Sequence, residues 1–172
     1  MTAPLAPERV TIASRQFELL IGPAKLQSRI ADLAADLNDR FGQPTNPTQE
    51  PILMPVLTGA LPFASALLPQ LHFAYRIHPV KVRSYGDMMQ PVHTPVFELP
   101  PPANVGDHPI IILEDIVDTG LTLETLAAHV PYAQESQFWA ATLLFKPDAH
   151  APELYPPDWV GFQIPEAFVV GF

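Results

Sequence analysis

The sequence predicts an α/β fold in which a central, mostly parallel sheet is flanked by helices. Three observations predict it. Short aliphatic runs alternate with segments whose apolar residues recur at helical spacing, the order expected of parallel strands joined by right-handed crossovers. Polar clusters follow four predicted strands: Thr58-Gly59, Ser84-Tyr85, Glu114 to Thr122, and Lys146. Ligands of such sheets sit beyond the carboxyl ends of the strands, so these four clusters are candidates for one site. At 172 residues, 48% of them hydrophobic, the chain is expected to form one domain, 1–172, with a sizeable core.

Val10 to Leu20 alternates enough for one strand or two, leading into Gly22-Pro23. Proline suits a first helical turn, and Leu26, Ile30, Leu33, Ala34 and Leu37 then recur on one helical face that is expected to end near Gly42. Ile52 to Leu57 is a compact apolar strand ending at Thr58-Gly59, and Leu61, Ala64, Leu67 and Leu68 mark the next helix. Phe73 to Tyr85 reads as a strand pair or one long strand interrupted at His78-Pro79. Gly86 to His93 is a polar loop and Thr94 to Leu99 a further strand. After a helix over about Leu121 to His129 come a strand at Phe138 to Phe145 and two strand-like pieces, Trp159 to Ile164 and Phe168 to Phe172. The 22 prolines far exceed the average share of about 5%. Their clusters at Gln43 to Pro51, Pro100 to Pro109 and Asp148 to Pro157 are short enough to be rigid loops between elements.

Nine basic against eighteen acidic residues give a formal charge of −9. No basic stripe of the kind a nucleic-acid binder carries is visible, so nucleic acid is not an expected partner. The absence of cysteine excludes disulfides and thiol chemistry and is compatible with a reducing compartment. No apolar run has the length of a signal peptide or a membrane span, so a cytoplasmic location with no membrane partner is expected. The six histidines show no metal-ligand spacing.

Residues Ile110 to Leu126 are the most informative segment. Four aliphatic residues make a buried strand that is expected to stop at the carboxylates Glu114 and Asp115, and the turn Asp118-Thr119-Gly120-Leu121-Thr122 then runs into an apolar-periodic helix. Such a turn points backbone N–H groups and a helix N-terminus at one spot, which suits a phosphate. Two acids beside an anion site point to ribose hydroxyls or a metal next to that phosphate. The bland alternatives are a solvated acidic turn for Glu114 and Asp115 and an ordinary helix N-cap for Asp118.

This segment resembles the phosphoribosyl-diphosphate motif of the type I phosphoribosyltransferases, in their hypoxanthine-guanine (6-oxopurine) branch. The likeness runs over nearly the whole chain. Pro51 to Leu68 resembles the segment after the family's first core strand, and Lys81-Val-Arg-Ser-Tyr85 the start of its mobile active-site loop. Ala141-Thr-Leu-Leu-Phe-Lys146, Val160-Gly-Phe-Gln-Ile-Pro165 and Phe168-Val-Val-Gly-Phe172 resemble its purine-binding end.

The resemblance implies a small hood formed by the N- and C-terminal segments, and transfer of phosphoribosyl from phosphoribosyl diphosphate to hypoxanthine or guanine with Mg2+. It gives Asp118 the role of general acid/base facing N7 of the purine. Glu114 and Asp115 would hold the ribose hydroxyls, directly or through Mg2+ and water. The amides of Thr119, Gly120, Leu121 and Thr122 would take the 5′-phosphate. Lys146 would donate to O6, Phe168 would stack on the base and the Val169 backbone would meet its edge; the ordinary readings are a solvated lysine and a core aromatic. Ser84 and Tyr85 would belong to a flexible lid, the alternative being a plain surface loop, and Lys81 would add positive charge towards diphosphate. Thr58-Gly59 would be the diphosphate loop, often with a non-proline cis bond. Relatives are commonly homodimers or homotetramers.

The pattern departs from the family in three places. Thr58 stands where many members carry Lys or Arg, which leaves backbone amides as the main diphosphate contact there. Leu121 replaces a polar residue of the phosphate loop. The family continues past the position of Phe172 with a Leu-Asp-Tyr segment and a later arginine, and the expectation is a shortened version of a longer product. Other classes stay open: a non-catalytic purine nucleotide or phosphoribosyl-diphosphate sensor, and a transferase for xanthine. A pyrimidine enzyme fits Lys146 with Phe168 poorly, and a flavodoxin-like phosphoacceptor would not need the Thr-Gly-x-Thr turn.

Overall fold

The computed structural model describes residues 9–12, 14–42, 50–83, 96–130 and 137–171. Its core is a five-stranded sheet built from β3 (Ile52–Pro55), β4 (Arg76–Ile77), β7 (Ile110–Val117), β8 (Phe138–Phe145) and β9 (Trp159–Gln163). The order is β4-β3-β7-β8-β9, and every pairing is parallel. Two smaller antiparallel pairs stand apart from it: β1 (Arg9–Ile12) with β2 (Arg15–Glu18), and β5 (Lys81–Arg83) with β6 (Val96–Leu99).

Helices on both faces explain why all four residues of β3 are buried. On one face α1 (Pro23–Phe41) and α2 (Ala60–Leu67) pack Ile30, Leu33, Leu37, Phe63 and Leu67 against Ile111 and Leu113. On the other, α3 (Leu121–His129) packs Leu123 and Leu126 against Ile110, Ile112 and Met54. Helix α1 starts with Pro23 and closes at Gly42, whose N–H bonds the Asn38 carbonyl at 2.7 Å. Arg29 of α1 reaches β9, with Nε donating to the Gly161 carbonyl at 2.8 Å and Nη2 to that of Val160 at 2.7 Å.

The predicted elements differ from this in four respects. β7 does not stop at Glu114 but runs on to Val117, because β8 keeps pairing with it through Glu114↔Thr142, Ile116↔Leu144 and Val117↔Phe145. Phe73 to Tyr85 holds two short strands on separate sheets, β4 beside β3 and β5 beside β6. The Trp159 piece takes the edge of the main sheet as β9, so the N-terminal hairpin β1–β2 is the terminal piece that forms a small sheet of its own. Phe168 to Gly171 is not a strand. The Ile164 N–H makes the last sheet-like bond, to the Phe145 carbonyl at 2.8 Å; Pro165 then has no N–H to give, and Gly171 sits at φ +89°. Ser84, Tyr85, the loop Gly86 to His93 and the start of the Thr94 strand lie outside the described residues. Among the described residues no helix is long and apolar enough to cross a membrane.

Candidate functional site

Strands β3, β7 and β8 are neighbours, so their carboxyl ends bring three of the four polar clusters to one side of the sheet. After β3 the Leu57–Thr58 peptide bond is cis, and Thr58 and Gly59 are both exposed at the start of α2. A Cβ on Gly59 would lie 2.5–2.7 Å from the Asp115 carboxylate atoms. Only a residue without a side chain lets this turn approach the acid so closely.

The two acids do not form a side-by-side pair on a turn. They are consecutive residues of β7, and consecutive strand residues project to opposite faces. Asp115 continues the Ile111-Leu113 face, towards Gly59 and α2, while Glu114 continues the Ile110-Ile112 face, towards α3. Glu114 is 9% exposed and its Oε2 has no hydrogen-bond partner among the described residues. Burial first, and then the charge of Asp115, push its carboxyl well above the usual glutamate range. Burial also raises Asp115, against bonds from its own backbone and that of Ile116.

A carboxyl raised by folding keeps its proton over a pH range in which the unfolded chain has already released it. Its contribution to stability is therefore complete below the ordinary glutamate value of 4.5 and fades as pH rises through the folded value. Glu114→Gln is expected to exceed the parent in stability by about 1–3 kcal/mol at alkaline pH, the cost of an unsatisfied buried acceptor. The gain should shrink towards acid pH. Urea midpoints at pH 8 and pH 5 check this; an equal gap at both would contradict it.

Gly120 begins α3 in the left-handed conformation, φ +91°, with no side-chain cap. The Thr119 hydroxyl lies 3.5 Å from the Leu121 N–H, too long for a good bond. The first-turn N–H groups of α3 have no capping side chain and stay available to an anion. Thr119 and Leu121 are exposed, and Thr122 is half-buried. The N-cap role weighed for Asp118 does not hold, since its Oδ2 accepts from Lys146 Nζ at 2.7 Å. The Lys146 side chain is 10% exposed and that of Asp118 46%, so one partner is buried and the other faces solvent. The Lys146 N–H also donates to the Val117 carbonyl at 2.9 Å, which locks the end of β8 to the end of β7.

Phe168 is 74% exposed, leaving a ring face open for stacking, and Val169 is half-buried. Asp118 with Lys146, and Asp115 with Gly59, are therefore the predicted residues brought into direct contact. Glu114 is held on the opposite face of β7 from Asp115. One residue that the sequence reading passed over is His150. A Cβ on Gly120 would lie 2.6 Å from its Nε2, and no local pattern marks that contact.

Comparison with known proteins bears on the family and the fold. Residues 18–172 match the phosphoribosyl transferase domain family. The hypoxanthine-guanine phosphoribosyltransferase of Bacillus subtilis is 32% identical over 155 residues, 90% of this chain and 83% of the relative. A crystal structure of a hypoxanthine-guanine phosphoribosyltransferase from Bacillus anthracis, with a HEPES molecule in its active site, superposes with a TM-score of 0.74 at 28% identity, over 88% of this chain and 86% of that one. The hypoxanthine phosphoribosyltransferase of Trypanosoma cruzi superposes with a TM-score of 0.75 at 26% identity, over 89% and 80%. With a domain match across nine-tenths of its length and a 32%-identical relative covered over most of its own length, the chain belongs to the phosphoribosyltransferase family, in its hypoxanthine-guanine branch.

Proposed function

We propose that this chain, as a single catalytic unit over 1–172, transfers phosphoribosyl from phosphoribosyl diphosphate to hypoxanthine or guanine, giving IMP or GMP and diphosphate. The observation that carries the reading is the Lys146–Asp118 pair, 2.7 Å apart, beside the uncapped Gly120 turn. In this reading the pair would serve as a donor for a 6-oxo group and a proton acceptor for a ring nitrogen, next to first-turn amides that would take a phosphate. The N9–C1′ bond forms as the C1′–O bond to diphosphate breaks, through an oxocarbenium-like state comparable to glycosyl transfer. The N7 proton of the incoming base passes to the Asp118 carboxylate. Lys146 Nζ keeps two further N–H donors beyond the one given to Asp118, enough to meet O6. Phe168 and Val169 supply the stacking face and the edge contact. Thr119, Gly120, Leu121 and Thr122 present amides to the 5′-phosphate.

The Glu114 Oε2 finds no donor or cation among the described residues, which leaves it free for a substrate donor or a metal. Asp115 faces the Thr58-Gly59 turn and would hold the ribose diol and a hydrated Mg2+ on that side of β7, with Glu114 as the second acid of the reading. Among the described residues no group of three or more ligands could cage a metal. Magnesium typically keeps waters and binds one or two carboxylates plus substrate phosphates, which fits this donor set. When bound it neutralises charge on the leaving diphosphate. Ser84 and Tyr85, outside the described residues, complete the reading as the lid that shields the reacting carbon from water. A cytoplasmic, homodimeric or homotetrameric enzyme belongs to the same reading, on the strength of the family.

Gly59→Ala is expected to displace the Asp115 carboxylate and lower kcat/KM for phosphoribosyl diphosphate by about 10–10², because small misplacements in a positioned site are costly. Steady-state kinetics with the base saturating would show it, and unchanged constants would separate Asp115 from substrate. The deciding experiment for the function is product formation from hypoxanthine, guanine, xanthine and adenine with phosphoribosyl diphosphate and Mg2+. IMP and GMP formation supports the reading. Xanthine turnover alone would correct the base, and GMP binding without turnover would make the chain a nucleotide sensor.

A further inference from the structure

The loop after β8, residues 146–155, lies against the phosphate turn at two points. The Ala151 N–H donates to the Thr119 carbonyl at 3.2 Å. The His150 ring stands where a side chain on Gly120 would be, with Nε2 and Cδ2 at 2.6 and 2.9 Å from that position. Two contacts hold the ring and a third holds its backbone. Its edge packs on Phe145 with centroids 5.4 Å apart, and its backbone N–H donates to the Lys146 carbonyl at 3.2 Å. Nε2 lies 3.2 Å from the Tyr155 carbonyl, an acceptor, so this nitrogen carries the proton and donates. Tyr155 is pinned in turn: its one hydroxyl proton is shared between two acceptors, the Asp158 carboxylate at 2.8 Å and the Phe138 carbonyl at 3.0 Å.

We propose that His150 is a positioning residue that props the phosphate turn from behind, fixing Thr119 and Gly120 so that the turn's amides face the 5′-phosphate. The same short loop begins at Lys146, but that residue is fixed separately, by its own N–H on the Val117 carbonyl at 2.9 Å, so the loss of His150 spares the base donor. His150 touches no reacting atom, and its effect is on phosphate affinity rather than on the chemical step. The proposal rests on the reading that Asp118 to Thr122 takes a sugar phosphate, which the design below tests separately.

The test compares binding of GMP and guanosine to the full chain by calorimetry, for the parent, His150→Ala, His150→Gln, Gly120→Ala and the double variant Gly120→Ala/His150→Ala. His150→Ala should weaken GMP about tenfold, the scale of a lost positioning contact, while guanosine changes less than about twofold. Glutamine keeps a donor for the Tyr155 carbonyl and should restore part of the loss. In the double variant the two GMP effects should fall short of additive, because removing the ring gives the alanine methyl room. Equal weakening of GMP and guanosine by His150→Ala, no weakening of GMP, or strict additivity would each overturn the proposal. A parent that binds GMP no more tightly than guanosine would instead remove the phosphate reading of the turn, and the strut with it.

Discussion

Asp118→Asn is expected to lower kcat by about 10²–10⁴, the usual worth of a positioned acid/base, with KM for both substrates changed by no more than a few-fold. The asparagine amide oxygen can still accept from Lys146, which now stands 2.7 Å from the Asp118 carboxylate. Geometry is thereby kept while proton transfer is lost. With its side chain 46% exposed, Asp118 lies at the solvent edge of the pair, so the change should cost little stability. Turnover under saturating base and phosphoribosyl diphosphate, read beside a melting curve, checks both halves. An unchanged kcat would remove Asp118 from the chemistry, and a collapsed melting temperature would make any rate loss structural.

The second large effect concerns the base. Sites built around a buried hydrogen-bonding group reject analogues lacking its partner by as much as 10⁴–10⁵, because the group is left unpaired. Lys146 does not reach that limit, since Asp118 satisfies part of its charge whichever base is present. A hypoxanthine-over-adenine ratio in kcat/KM of about 10²–10⁴ is therefore expected for the parent. Lys146→Met should lose at least about 10² on hypoxanthine, the cost of an unmade charged hydrogen bond together with a displaced acid/base, whereas adenine should lose only the share due to the displaced Asp118, so the hypoxanthine-over-adenine ratio falls. Parallel rate measurements on the two bases decide it. Comparable parent rates with adenine and hypoxanthine would refute the role.

Much of the fold was legible because its signals are local. The apolar stripe from Leu26 to Leu37, opened by Pro23 and closed at Gly42, is a helix by spacing and caps alone. The course of β7 was not legible. Glu114 and Asp115 looked like the end of a strand, and the pairing with β8 that carries it on to Val117 is a tertiary fact. That error hid a second feature, for once the strand continues, simple alternation puts the two acids on opposite faces. The Lys146–Asp118 bond was hidden for a related reason. Both residues were placed just beyond strands, but their contact needs β7 and β8 to be neighbours, which one sequence does not state. His150 lay furthest from view: it lies thirty positions from Gly120 in a proline-flanked loop, and only the folded chain brings them together. The run Phe168 to Phe172 misled in the opposite sense: it is β-like in composition, but its described part, Phe168 to Gly171, joins no ladder.

The Arg29 clasp on β9 has a consequence for how copies of this molecule meet. An unpaired outer strand is an invitation to cross-chain zippering, and both margins of this sheet are poor hosts for it. At one margin β4 offers only two residues, and at the other a guanidinium already occupies the Val160 and Gly161 carbonyls. Self-association that spares the catalytic fold would then leave the margins of the central sheet aside and use other surfaces. Removing the guanidinium should make the protein prone to aggregation well before it loses its fold.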